Sequence, residues 1–175
     1  MNRSYIPAER LKALLAERDG IASIEAVSHC RIGIADGDSL AIEGNNAYDE
    51  LVAGNILTAY GRGFALADAL KLAHDDCYLA VIDIKQHTGS EKRIKQIKAR
   101  LIGKDGKTRG YIERVSGARI SVLGATVSVM GNSEAVEEAE VALYSLLSGT
   151  KHGTAYARME AAHRRHRQAR RTPRL

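Results

Sequence analysis

The sequence predicts an α+β protein with two copies of a β-α-α-β-β-α unit packed as a tandem, followed by a basic C-terminal tail. Three observations support this fold class: the order of periodic segments in the second half, an internal repeat, and an uneven distribution of charge. With 175 residues, 45% of them hydrophobic, the chain can bury the cores of two small domains. We expect these domains at 1–75 and 76–157, with the tail at 158–175.

Apolar spacing and turn residues divide the first half into short elements. Pro7 suits a first helical turn, and Asn45 or Asn46 can cap a helix that ends near Gly61. We expect that helix to turn four side chains inward, namely Leu51, Ile56, Leu57 and Tyr60. The expected elements, in order, are helices at 8–18 and 21–27, a hairpin of 31–34 with 40–42 around Asp36-Gly37-Asp38, the capped helix, and an extra helix over about 64–73.

The second half follows the complete β-α-α-β-β-α order. Its first segment, 78–84, is dense in β-forming residues and predicts a buried strand. The elements that follow are a helix capped by Ser90, the glycine-bounded break at 103–106, a helix to Ser116, a hairpin of 119–122 with 126–129, and a long helix from Asn132 or Ser133.

The chain repeats itself at a shift of 88 positions. Residues 24–32 then align with 112–120, and more than half of the nine pairs are identical. A shift of 87 aligns Gly44-Asn45 with Gly131-Asn132. We therefore predict a duplication rather than a coincidence. The first copy is divergent, because Leu15-Ala16-Glu17-Arg18 stands where the second has Gly103-Lys104-Asp105-Gly106.

Charge separates the two halves. Residues 1–83 have seven Lys or Arg against thirteen Asp or Glu, a net charge of −6, whereas residues 84–175 have nineteen against eight, a net charge of +11. The basic residues concentrate in 91–119 and in 158–175. Such clusters suit a polyanionic partner, because each neutralised phosphate releases counterions. A solvated, salt-bridged helix face is the alternative for the first cluster, and a solubilising terminus is the alternative for the tail.

The Gly103-Lys104-Asp105-Gly106 segment carries the most specific chemistry. Two glycines let the backbone turn tightly and approach sugar-phosphate, and the next helix presents unpaired N–H groups to phosphate. In KH domains such a loop clamps about four nucleotides, while bases lie over an apolar groove. A helix-helix turn that simply needs two glycines is the structural alternative. We predict two type I KH modules, and the candidate RNA-binding residues are Arg100, Ile102, Gly103, Lys104, Asp105, Gly106, Lys107, Arg109, Ile112, Arg119 and Ile120, with Val122 as a further groove residue.

Other site chemistries are not supported. Gly106-Lys107-Thr108 resembles the end of a P-loop, but position 101, where that motif needs glycine, is Leu. The chain shows no convincing nucleophile-base pair, and His163 and His166 lack a third metal ligand, so we assign them to charge and solvation. The two cysteines form no C-x-x-C pair, which disfavours a disulfide framework or a cysteine zinc site. We therefore expect no enzyme activity, no cofactor and no metal.

No apolar run approaches the roughly 20 residues that span a bilayer, and Met1 is not followed by a signal pattern. We expect a protein that is not exported, no membrane partner and a cytoplasmic location.

Five stretches of the chain match the pattern of a known family: 61–64, 78–83, 102–109, 112–113 and 152–156. Through them, residues from about Tyr5 to Tyr156 resemble the archaeal and eukaryotic tandem-KH proteins of small-subunit ribosome assembly that are partners of the NOB endonuclease. The resemblance implies binding of single-stranded RNA near the 3′ end of small-subunit rRNA, a NOB-type endonuclease partner and recruitment to pre-ribosomal particles. Because 15–18 lacks a glycine clamp, we expect the first module to be a protein-binding scaffold or a folded remnant. Gly153 is a further departure, since the family pattern has Ser there.

Three function classes remain open at this point: an RNA-binding assembly factor, a KH adaptor of an RNA-processing nuclease complex, and a protein-interaction scaffold whose KH modules no longer bind RNA. For the second class, an adaptor such as an exosome cap would be expected to join its KH module to an OB-like barrel. The α-rich first half argues against that. A pure scaffold would not require a lysine-bearing glycine loop in a segment of net charge +7. The assembly factor is therefore the leading interpretation.

Overall fold

A computed structural model describes residues 2–35, 39–74 and 76–171 of the chain. The chain divides into two compact units, Met1–Cys77 and Tyr78–Leu175. The predicted hairpin turn Asp36-Gly37-Asp38 lies outside the described residues, as do Asp75 and 172–175. None of the described helices is both long and apolar enough to cross a membrane.

The first unit combines a three-stranded antiparallel sheet with four helices among its described residues. Strand β1 was not foreseen, and the helix expected over 64–73 is a short α-helix followed by a 3₁₀ turn. Its elements are β1 (Asn2–Tyr5), α1 (Ala8–Ala16), α2 (Gly20–Ser28), β2 (Cys30–Ile34), β3 (Ser39–Gly44), α3 (Ala47–Gly61), α4 (Leu66–Ala69) and the 3₁₀ turn Leu70–Ala73.

The second unit has the predicted order of elements and adds a C-terminal helix. Its elements are β4 (Tyr78–Asp83), a 3₁₀ turn (Ile84–Gln86), α5 (Glu91–Ile102), a 3₁₀ turn (Lys104–Gly106), α6 (Lys107–Ser116), β5 (Arg119–Leu123), β6 (Thr126–Gly131), α7 (Ser133–Leu147) and α8 (His152–Arg171). The core lies between one face of the sheet and helices α5, α6 and α7, with Ala155 and Met159 of α8 joining it.

Both sheets have the same strand order. The last strand is central in each, giving β1-β3-β2 in the first unit and β4-β6-β5 in the second, with all pairs antiparallel. Ile32 pairs with Ile42 in the first sheet, and Ile120 pairs with Val129 in the second. The two units thus share the order β-α-α-β-β-α and the same connectivity.

The repeated residues make the same hydrogen bonds in both units. The backbone N–H of Ile32 donates to Glu25 Oε1 at 2.7 Å, and that of Ile120 donates to Glu113 Oε1 at 2.8 Å. The hydroxyl groups of Ser28 and Ser116 each donate to the carbonyl four residues earlier, at 2.7 Å. Strands β2 and β5 are sheet edges, where a backbone N–H lacks a strand partner, so each glutamate satisfies one such group.

Three predicted helix caps are confirmed. Asn46 Oδ1 accepts from Asp49 N at 2.9 Å at the start of α3, and Asn132 Oδ1 accepts from Ala135 N at 2.8 Å at the start of α7. Ser90 Oγ accepts from Arg93 N at 3.4 Å before α5. These side chains fix where the helices begin, because they satisfy N–H groups that have no partner within the helix.

Two predictions about burial are wrong. Leu51 is 57% exposed, because the inward face of α3 runs through Ile56, Leu57 and Tyr60, and a residue five positions before Ile56 falls off that face. Strand β4 is a sheet edge rather than a buried strand, and Ile82 is its single buried residue.

The expected boundary after residue 157 is also wrong, because α8 continues from His152 to Arg171 as one helix of 20 residues, about 30 Å long. Ala155, Met159 and Ala162 are spaced so that they share one face, and all three are buried. These apolar residues dock α8 on the second unit. They are few among the arginines, so the sequence pattern does not reveal the docking.

Candidate nucleic-acid interface

The glycine loop of the second unit joins α5 to α6 in a single tight turn. Gly103 ends α5 and donates its N–H to Ala99 O at 2.8 Å. Gly106 then donates to Gly103 O at 3.2 Å, which closes the loop, and α6 starts at Lys107. Asp105, at the tip, adopts the left-handed conformation with φ 53°. The loop is therefore held by its own backbone.

Glycine is favoured at the two ends of this loop for different structural reasons. Gly103 has φ 76° and ψ 170°, a conformation that is essentially restricted to glycine. A Cβ at Gly103 would lie 2.7 Å from the backbone N of Thr108 and still closer to its Oγ1. Gly106 is left-handed with φ 74°, and a Cβ there would meet no atom within 4 Å. Gly103 thus permits the loop to fold onto α6, whereas Gly106 leaves an open surface beside it.

The N-terminus of α6 is suited to an anion. No side chain caps it, and the residue before the helix is Gly106, which has no side chain that could do so. Lys104, Lys107 and Arg109 are all exposed around this helix end. The positive end of the helix dipole and these three cations together favour a phosphate group at the loop.

The predicted groove residues divide into two groups. Ile102, at the end of α5, and Val122, on the edge strand β5, are half-buried. Part of each side chain is therefore accessible to a ligand. Ile112 and Ile120 are 0% and 5% exposed and belong to the core, so they do not line a groove. The reason is that each lies on the inner face of its element. Arg119, at the start of β5, is exposed.

Arg100 forms its hydrogen bonds within the protein. Its Nη2 donates to Thr150 O at 2.7 Å, and its carbonyl oxygen lies 3.1 Å from His152 Nε2. These contacts fasten the link between α7 and α8 to the end of α5. The structure thus gives this candidate RNA-binding residue an intramolecular partner 50 residues away, which no local pattern could indicate.

An aromatic pair beside the loop was missed from the sequence. The rings of Tyr111 on α6 and Tyr156 on α8 are 4.4 Å apart, and the Arg114 guanidinium lies 5.1 Å from the Tyr111 ring. The Tyr111 hydroxyl donates to Glu160 Oε1, and this hydrogen bond raises the pKa of Tyr111 above its usual value. The contact ties α8 to the helix that begins at the glycine loop.

Two of the three histidines of α8, His163 and His166, have a partner that the sequence did not predict. Glu138 of α7 is a buried carboxylate, and each of its oxygens lies 2.8 Å from a histidine Nδ1, one from His163 and the other from His166. Their assignment to solvation is therefore wrong. Within the described ranges, no group of three or more His, Cys, Asp or Glu residues could hold a metal ion.

The connection between α1 and α2, which the structure describes in full, is not equivalent to the glycine loop. Helix α1 ends at Ala16, and α2 follows at Gly20, with Asp19 in the left-handed position that Gly106 takes in the second unit. Arg18 occupies the middle of this connection with a side chain that is 97% exposed. Because the connection has no glycine pair and includes two carboxylates, it does not reproduce the cationic turn of the second unit.

The chain matches known KH proteins in sequence and in structure. The family model for the second KH domain of PNO1, a eukaryotic-type KH domain (KH-domain type I), matches residues 78–164. Over 170 residues the chain is 35% identical to the KH domain-containing protein MJ0443 of Methanocaldococcus jannaschii, a match that covers 94% of this chain and 75% of that protein. It is 31% identical over 105 residues to the pre-rRNA-processing protein PNO1 of Chaetomium thermophilum, covering 58% of this chain and 40% of that protein.

A solved structure shows the same likeness in three dimensions over almost the whole chain. A chain in the crystal structure of an a/eIF2α–aDim2p–rRNA complex from Pyrococcus horikoshii superposes with a TM-score of 0.84 and 29% sequence identity, covering 94% of each chain. The family model and the archaeal relative are both KH proteins by description, and the superposition shows that the chain shares its fold with the Dim2p structure. The chain therefore belongs to the Dim2/PNO1-like family of KH-domain proteins.

Proposed function

We propose that the second unit binds single-stranded RNA through the Gly103–Gly106 loop, and that the chain acts on small-subunit rRNA, near its 3′ end, as a ribosome-assembly factor. The observation that carries this proposal is the open, uncapped N-terminus of α6 beside a glycine turn with three exposed cations. Sugar-phosphate can approach the backbone there because Gly106 has no side chain. The role is binding without catalysis.

The relatives support the choice of RNA. The Pyrococcus horikoshii structure contains Dim2p together with rRNA, and PNO1 is a pre-rRNA-processing protein. The match spans 40% of the length of PNO1. The activity of the whole PNO1 protein is therefore assigned to this chain as a proposal. A NOB-type endonuclease, pre-ribosomal particles and a cytoplasmic location belong to the same proposal, on the strength of the family resemblance.

The first unit is, in this proposal, a divergent KH module that does not clamp RNA. Its element order, its strand order and the equivalent bonds of Glu25 and Glu113 support a common origin with the second unit. Its connection between α1 and α2 lacks the glycines and the cationic charge that a backbone clamp requires. The proposed role of this unit is to bind protein.

The test is a matched pair of charge reversals at equivalent turns. Lys104→Asp places a repulsive charge beside the phosphate, and we expect RNA affinity to fall about tenfold or more. Arg18→Asp makes the same change in the first unit, and we expect RNA affinity to stay within about twofold, because no phosphate lies there. Both side chains are exposed, so neither change disturbs the core.

The measurement is fluorescence anisotropy with a labelled single-stranded RNA, with circular dichroism to show that both variants are folded. Equal affinities for the two folded variants would show that the glycine loop is not the RNA site. A loss with Arg18→Asp alone would move the site to the first unit.

A further inference from the structure

We propose that one face of α8 is a second contact for the RNA backbone, which continues the path of the strand held by the glycine loop. This arginine face consists of Arg164, Arg167 and Arg171. The inference rests on the proposed RNA-binding function and adds a separate set of phosphate contacts to it.

Helix α8 is fixed firmly enough to present a defined surface. Its inner face buries Met159 and Ala162, and the two histidines on that side hold the buried Glu138 carboxylate at 2.8 Å each. Near its end, Arg170 forms an ion pair with Glu134 of α7. These contacts set the rotation of the helix about its axis, so the remaining arginines have a fixed direction.

The arginine face points away from the docked face. Residues at positions i, i+3 and i+7 share one side of a helix, and Arg164 and Arg171 are about 10 Å apart along its axis. All three arginines are exposed, and together with Gln168 they line a shallow concavity of about 150 Å³. Three guanidinium groups around one concavity present donors in the planar geometry that phosphate oxygens accept.

The carboxylates of α7 that contact α8 pair with side chains outside this face. Glu134 pairs with Arg170, the two carboxylate oxygens of Glu138 contact His163 and His166, and Glu137 Oε2 lies 3.5 Å from His166 Nε2. Arg167 and Arg171 form no ion pair with another residue that the structure describes, while Arg164 lies 4.0 Å from Glu160 on its own helix. The surface therefore has a net positive charge available to an external anion.

The arginine face is continuous with the glycine loop through α6. Lys107 begins α6 at the loop, and Tyr111, one turn later, donates to Glu160 of α8. Arg164 follows Glu160 by one helical turn, and Arg171 lies about 16 Å beyond Glu160 along the axis. A strand leaving the loop along α6 thus reaches Arg164, Arg167 and Arg171 in that order. Charge complementarity with phosphate makes RNA the occupant that this path favours.

The experiment compares RNA lengths. A four-nucleotide RNA fills the glycine clamp alone, whereas a twelve-nucleotide RNA extends beyond it. The variant R164Q/R167Q/R171Q should bind the short RNA as the wild type does, yet bind the long RNA roughly tenfold more weakly, with the slope of log affinity against log salt reduced by about 2. The control K12Q/R18Q/R165Q removes the same charge elsewhere; Arg165 lies about 160° around α8 from Arg167.

Each outcome decides the inference. It is supported if the length-dependent gain of the wild type is retained by the control and lost by the arginine-face variant, with the overall helical content unchanged by circular dichroism. It is overturned if the variant and the control bind both RNAs equally, as they would if these arginines served an acidic protein instead. If the wild type binds neither RNA, the proposed function itself fails, whereas normal binding of the short RNA with no length effect overturns the arginine face alone.

Discussion

Gly103→Ala is expected to cost about 3 kcal/mol or more of folding stability and to abolish RNA binding, although it adds a single methyl group. The conformation at Gly103, with φ 76° and ψ 170°, is strained for any residue with a Cβ. The new Cβ would also lie 2.7 Å from the backbone N of Thr108, and no rotation of the Thr108 side chain relieves that contact. The change therefore displaces the turn or the first residues of α6.

Two other glycines provide matched controls. In Gly106→Ala the new Cβ meets no atom within 4 Å. The expected loss of folding stability is therefore only the cost of the left-handed backbone, about 1–2 kcal/mol. Gly110→Ala, in the exposed middle of α6, should stabilise the protein by about 0.5–1 kcal/mol. Urea denaturation should therefore rank stability as Gly110→Ala, wild type, Gly106→Ala and Gly103→Ala. If Gly103→Ala were as stable as Gly106→Ala, the geometry described for this loop would be incorrect.

The second large effect is expected from removing both histidines that face Glu138. The variant H163A/H166A leaves a carboxylate that is 2% exposed without its hydrogen-bond partners, and we expect it to lose about 3 kcal/mol of stability. Because these side chains hold α8 on α7, the rate of amide hydrogen exchange should rise first in α8. The measurement is thermal denaturation, combined with hydrogen exchange resolved by segment.

A third substitution separates loss of packing from loss of pairing. Adding Glu138→Met to H163A/H166A removes the unpaired carboxylate, and most of the lost stability should return, because an apolar residue tolerates that site. Failure to recover would mean that the histidines stabilise α8 through packing rather than through the buried carboxylate.

The parts of the fold with local signals could be predicted. Asn46, Ser90 and Asn132 cap helices where their position in the sequence indicated, because capping involves residues only three positions apart. The glycine loop was recognisable for a similar reason, since its conformation depends on glycine at defined positions. The internal repeat located equivalent elements, and the shared bonds of Glu25 and Glu113 explain why those residues recur.

The parts that depend on distant contacts could not be predicted. Strand β1 has little β-forming character and is held by pairing with β3, about 37 residues later. The sequence does not separate a groove from a core at Ile112 and Ile120, because an apolar residue near a binding loop suits both equally well. The docking of α8 could not be predicted because Met159 and Ala162 are few among arginines, and because α8 packs mainly on α7, an earlier part of the chain.

The central claim, that this chain binds single-stranded small-subunit rRNA through its second unit, is tested most directly by fluorescence anisotropy across a salt series. The wild type is titrated against a labelled RNA from the 3′ end of small-subunit rRNA and against a scrambled RNA of the same length. We expect tighter binding to the native RNA, and a preference that persists as salt rises, because contacts to bases are screened less than contacts to phosphate. Equal binding of both RNAs that disappears with salt, or no binding at all, would contradict the account.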